Sequence, residues 1–136
     1  MVRARILLAD DHQEMRDIVV RLLEKDFEIV QAVEDGFAFL DAARKLNPDL
    51  CLIDISMPII NGIEAANQLK ESGSPAKIIM LTIHEDGDFA RAAFKSGASG
   101  YVVKSRMGTD LRLAVNEVLA GRTFVSSSVN LGTPPG

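Results

Sequence analysis

Tryptophan is absent from the 136 residues, tyrosine and cysteine each occur once, and histidine occurs twice. A single thiol cannot form an internal disulfide, so the fold is not a cross-linked secreted scaffold. The neighbours of Cys51 are Leu50, Leu52 and Ile53, which marks it as a core thiol in a reducing compartment rather than a nucleophile. No second His or Cys lies at a ligand spacing from His12, which reads as a helix-start residue rather than a zinc ligand. Blocks of like charge are also missing. Fifteen Lys and Arg stand against nineteen Asp and Glu, a net charge of −4, which argues against sequence-independent nucleic-acid binding by this segment. The opening MVRARILLAD is apolar only as far as Asp10 and Asp11, far short of a signal-peptide core or a membrane span. The chain is therefore expected to be cytoplasmic, with no membrane partner.

What is present is average for a globular domain, with 47% hydrophobic and 25% charged residues. Five short apolar runs, Ile6 to Ala9, Phe27 to Val33, Leu50 to Ile55, Ile78 to Ile83 and Ser99 to Val103, alternate with amphipathic stretches. Their mostly continuous apolar character is that of strands covered on both faces. Met15, Ile18, Val19, Leu22 and Leu23 form a helical stripe, as do Leu111, Ala114, Val115, Val118 and Leu119. Further helices are predicted over residues 37–46, 63–71 and 89–94, closed by Asn47-Pro48, by Gly73 and by Gly97. The prediction is an α/β fold, a doubly wound five-stranded parallel sheet with five helices. Residues 122–136 are small and polar, with little but Phe124 and Val125 to bury, and read as a linker or C-terminal tail.

In such sheets ligands collect beyond the carboxyl ends of the strands. Asp10 and Asp11 follow the first strand, Asp54 lies near the end of the third, Thr82 near the end of the fourth, and Lys104 directly follows the fifth. With strand order 2-1-3-4-5 the first and third strands are neighbours and three carboxylates crowd one pocket. Like charges about 4 Å apart repel by roughly 1 kcal/mol in water and about 4 kcal/mol at an effective dielectric of 20, so the cluster requires a cation or a proton. Oxygen ligands with room for water suit Mg²⁺, and Lys104 adds a second positive charge. A carboxylate, a divalent cation, an amine and a hydroxyl are the parts of phosphoryl transfer. Taken singly, each residue has an ordinary reading: Asp10-Asp11 as a helix cap, Thr82 as a strand threonine, Lys104 as a solvated charge.

The stretches ILLADDH, LCLIDISMPIINGIEA, IIMLTIH and GASGYVVKS resemble the CheY-like receiver domain of two-component response regulators, over about residues 3–121. The resemblance implies the flavodoxin-like strand order 2-1-3-4-5. It implies that Asp54 is the phosphoacceptor, with Lys104 and Thr82 assisting, and that Asp10, Asp11, Asp54 and the backbone carbonyl of Ser56 hold Mg²⁺. Thr82 and Tyr101 are the implied switch pair. Ser56 and His84 border the implied path of the hydrolytic water. Met57-Pro58 and Gly62 match the loop after the phosphoacceptor strand, where Gly62 is expected to permit a tight turn.

The DDH opening and the ending LAGRTFVSSSV are similar to the NarL/FixJ type, in which a receiver precedes a DNA-binding domain absent from this chain. The implied partners are a sensor histidine kinase and a phosphorylation-dependent second copy, with DNA reached only through that missing domain. The resemblance also implies a switch rather than an enzyme, transcription regulation being the output. Two departures bear on the site. Ser105 stands where many receivers carry a cis proline, so a trans peptide is expected. Ile83 is larger than the residue often found beside the switch hydroxyl and is expected to narrow the pocket entry. Two alternatives use the same residues differently: a phospho-independent interaction module, and an aspartyl-phosphate hydrolase of the haloacid-dehalogenase type, whose DxDx(T/V) signature is missing after Asp54.

Overall fold

The computed structural model describes residues 3–129 and 131. Five strands, β1 (Arg5–Ala9), β2 (Glu28–Val33), β3 (Leu50–Asp54), β4 (Lys77–Thr82) and β5 (Gly100–Val103), alternate with five helices. The helices are α1 (Gln13–Leu23), α2 (Gly36–Leu46), α3 (Gly62–Glu71), α4 (Gly87–Lys95) and α5 (Met107–Leu119). A two-residue strand, β6 (Phe124–Val125), follows. The sheet is parallel throughout, in the order β2-β1-β3-β4-β5-β6.

The continuous apolar runs follow from the pleat, because successive side chains serve opposite cores. Leu7, Ala9, Cys51, Ile53, Ile78 and Met80 join one cluster with Phe39, Ala65, Leu69 and Ala90 of α2 to α4. Ile6, Leu8, Leu50, Leu52, Ile79 and Leu81 join the other with Val19, Leu23, Leu111 and Val115 of α1 and α5. Cys51 is fully buried, and burial pushes its thiol up to about 12, which leaves it chemically quiet.

Two features differ from the sequence reading. The sheet has six strands, not five: Phe124 and Val125, assigned to the tail, pair with Gly100 and Tyr101. A two-residue strand carries no readable periodicity, and its pairing is decided by the open edge of β5. Residues 130 and 132–136 of that tail lie outside the described residues. Second, β2 is covered only in part: Ile29 and Val30 pack against opposite cores, each half-buried. It is an edge strand whose Glu28, Gln31 and Ala32 are exposed.

Capping sets where the helices begin. Asp35 accepts from Ala38 N–H at 2.7 Å, Asn61 from Glu64 N–H at 2.9 Å, and Asp86 from Asp88 N–H at 2.7 Å. The α1 N-cap is His12, without a side-chain cap bond, so Asp10 and Asp11 are not spent on capping. Gly62 acts by close approach: a Cβ there would lie 2.4 Å from the Asp54 carbonyl oxygen, so α3 packs directly under the loop that follows β3.

That loop stores strain. Ile59 has φ 72° and is 78% exposed, and Ile60 N–H donates to the Pro58 carbonyl at 2.9 Å, closing a three-residue turn. A β-branched residue at positive φ costs about 1–3 kcal/mol, whereas glycine adopts it freely at about 0.5–1 kcal/mol of chain entropy. Ile59→Gly is therefore expected to raise stability by about 1 kcal/mol. Urea unfolding would show this as a higher midpoint at unchanged slope, and a lower midpoint would contradict it.

Candidate functional site

Strand register assembles the site. Ala9 is level with Ile53, Asp54 with Leu81, and Thr82 with Val103, so the residues leaving β1, β3, β4 and β5 meet at one rim. Asp10 and Asp54 are buried there, and carboxylate atoms of Asp10, Asp11 and Asp54 with a ring nitrogen of His12 all lie within 4.8 Å of one another. Lys104 Nζ enters from β5, 2.9 Å from Asp10 Oδ2 and 3.2 Å from Asp54 Oδ2.

Asp10 is held by hydrogen bonds at its backbone and at one carboxylate oxygen. Its N–H donates to Val33 O at 3.0 Å, and its carbonyl accepts from Arg16 Nη1 at 2.7 Å. Its Oδ1 accepts from His12 N–H at 2.9 Å. Asp54 Oδ1 accepts from Ser56 N–H at 3.2 Å, which brings the loop backbone against the carboxylate. Two buried oxygens, Asp10 Oδ2 and Asp11 Oδ1, lack an aligned hydrogen bond. Their contacts are Lys104 Nζ and His12 Nδ1, each at 2.9 Å.

Burial raises the Asp54 carboxyl above its ordinary value; Lys104 works against this and Asp10 adds to it. Burial also acts to lower Lys104, but the adjoining Asp10 and Asp54 carboxylates outweigh it and hold the ammonium above its usual range. Lys104 is thus firmly charged. Three carboxylates against one ammonium leave two negative charges, the charge of one divalent cation. The all-oxygen carboxylate set and the two unaligned buried oxygens fit a hard cation such as Mg²⁺.

Thr82 is buried, and its Oγ1 accepts from His84 N–H at 3.0 Å. Tyr101 is fully buried, with its hydroxyl donating to the His84 carbonyl at 2.9 Å. Burial pushes that hydroxyl up to about 12, so it remains a donor. The two residues are thereby joined through one loop residue, whose ring stacks on Phe89 at a centroid distance of 4.2 Å. Ser56 and His84 line a cleft of about 370 Å³ together with Ile55, Asn61 and Phe89. Ile83 is exposed and lines a second groove, of about 310 Å³, with His12 and Lys104. All peptide bonds are trans among the described residues, Lys104-Ser105 included.

Sequence reasoning did not single out Arg16. It lies six positions beyond Asp10, on the polar side of an ordinary amphipathic pattern, and only the turn geometry brings it back to Asp10. His12 begins α1 as expected, yet its ring also meets the Asp11 carboxylate, a contact that zinc-ligand spacing does not report.

A family profile, Response regulator receiver domain, matches residues 6–116. The transcriptional regulatory protein DegU of Brevibacillus brevis is 37% identical over 129 residues, covering 93% of this chain and 55% of DegU. The chain thus spans just over half of that relative's length. The chemotaxis protein CheY of Halobacterium salinarum is 36% identical, covering 85% of this chain and 96% of CheY. A crystal structure of a LuxR-family two-component response regulator from Aurantimonas sp. SI85-9A1 superposes with a TM-score of 0.89 at 35% identity, covering 93% and 92% of the two chains.

Proposed function

The chain belongs to the response regulator receiver domain family, and from that premise we propose that Asp54 is its phosphoacceptor and the pocket around Asp54 its switch. It is a receiver domain of the two-component type, and neither alternative reading is favoured. The observation that carries the proposal is the Lys104 ammonium, which lies between Asp10 and Asp54 in a buried pocket with negative charge to spare. In the proposed reaction an Asp54 oxygen attacks the phosphorus of a phosphohistidine on a sensor kinase. The O–P bond forms as the N–P bond breaks, and the leaving imidazole nitrogen takes up a proton. The product is a mixed anhydride on Asp54.

Asp10, Asp11, Asp54 and the Ser56 carbonyl would hold Mg²⁺, which when bound neutralises charge on the phosphoryl oxygens. Lys104 supplies the fixed positive charge from the other side. Thr82 Oγ1 accepts from His84 and keeps its own proton to donate toward the phosphoryl group. A shift of Thr82 acts on His84, and through its carbonyl on Tyr101, so the three move together. Moving a population from 1:99 to 99:1 requires about 5.5 kcal/mol, and hydrogen bonds to charged groups contribute about 1.5–3 kcal/mol each, so a few new contacts to a phosphoryl group are enough.

The proposed output is a second copy of the chain, and DNA through a domain beyond residue 136, as the length of DegU supports. Among the described residues no helix is long and apolar enough to cross a membrane. Removing the ammonium separates chemistry from switching. Lys104→Ala is expected to retain slow labelling by acetyl phosphate while losing the phosphorylation-dependent dimer in sizing chromatography. A dimer formed as readily as in the wild type would contradict the assignment.

A further inference from the structure

The lysine at the centre of the site stands on a short turn. Lys104-Ser105-Arg106 is a single 3-10 turn between β5 and α5, and it contains no proline to restrain it. Yet Lys104 Nζ must be held near both Asp10 and Asp54.

The segment after β6 closes the chain around that turn. Ser126 N–H donates to the Tyr101 carbonyl at 3.0 Å, continuing the short β5–β6 pairing by one step. Beyond that point the Val103 N–H would be a buried donor without a backbone acceptor, a situation proteins avoid. The Ser126 hydroxyl accepts it at 3.1 Å and donates its own proton to Asp110 Oδ2 at 2.8 Å. Ser126 and Asp110 are 1% and 7% exposed. Arg106 Nε lies 3.2 Å from the same carboxylate oxygen, and Thr109 Oγ1 donates to Oδ1 at 3.2 Å. An unbroken polar chain therefore runs from the residue directly before Lys104, through Ser126, to the first turn of α5 and back to Arg106.

We propose that Ser126 and Asp110 are positioning residues for Lys104, fixing its backbone so that the ammonium reaches Asp54. The proposal rests on the phosphoacceptor reading above. It places one end of the clasp at the phosphorylation pocket and the other in the segment that leads out of the sheet. Neither residue touches the reacting atoms, so both act through the lysine.

The test is the rate of Asp54 labelling by acetyl phosphate with Mg²⁺, followed by intact mass in the full chain. Ser126→Ala is expected to slow labelling by roughly tenfold, the order of effect that small misplacements of a positioned group produce. Ser126→Thr, which keeps the hydroxyl, restores the rate to within about twofold of wild type, and Asp110→Ala behaves as Ser126→Ala does. In a Lys104→Ala background Ser126→Ala changes nothing further, because residues that act as one unit are non-additive. If Ser126→Ala labels at the wild-type rate, or slows labelling as much without Lys104 as with it, the proposal is overturned. If Ser126→Ala does not fold, Asp110→Ala decides by the same two comparisons. A wild type that takes no label at all overturns the phosphoacceptor reading itself, a different outcome from a labelled wild type with an indifferent Ser126.

Discussion

Asp54→Asn is expected to remove labelling by acetyl phosphate and Mg²⁺ completely, leaving no acid-stable, base-labile phosphate on the chain. The amide matches the carboxylate in shape. Its oxygen still accepts from Ser56 N–H, and Lys104 keeps its contact with Asp10, so the pocket is preserved while the nucleophile is lost. The fold is not expected to suffer. Burial raises the Asp54 carboxyl on folding, so at neutral pH its charge is held at the expense of stability. A neutral replacement should leave the unfolding midpoint unchanged or higher. A stable variant that still acquires one phosphate would remove Asp54 from its role, whereas loss of label together with loss of fold would call for the same measurement on Asp54→Ala.

Chelation should have an effect of similar size. Two uncompensated negative charges face any incoming phosphoryl group, and repulsion between unit charges about 4 Å apart is roughly 4 kcal/mol at an effective dielectric of 20. With EDTA present, labelling of the wild type is expected to fall by roughly a hundredfold or more, the scale set by losing one strong electrostatic stabiliser. Added Mg²⁺ in excess restores it. Asp11→Ala, which removes one carboxylate from the cluster without touching Asp54 or Lys104, should raise the Mg²⁺ concentration needed for half-maximal rate. Undiminished labelling in EDTA would undo the metal assignment to Asp10, Asp11, Asp54 and the Ser56 carbonyl.

The scaffold was readable because its determinants are local. Five apolar runs set the long strands, and stripes such as Val19 and Leu23 set the helices that cover them. The strand-end acids were also readable, since a parallel sheet places all its carboxyl ends on one rim and leaves only the strand order to be supplied. The rest depended on contacts across long stretches of chain. Nothing local to Phe124 and Val125 announces a strand, and Ser126 resembles its neighbours Ser127 and Ser128 until the Val103 amide and the Asp110 carboxylate lie beside it. Arg16 was missed for the same reason, whereas the edge position of β2 already followed from the expected strand order. Gly62 was expected to matter for backbone freedom, but the decisive constraint is the Asp54 carbonyl pressed against it.

The most direct test of the switch is one sample followed by two readings. Wild-type protein is treated with acetyl phosphate and Mg²⁺, and its intact mass and hydrodynamic size are measured before and after. The expected result is the gain of a single phosphoryl mass on Asp54 and, with it, a shift of the population toward a dimer. An unchanged mass under conditions that keep the protein folded, or a phosphate mapped to any other residue, would contradict it.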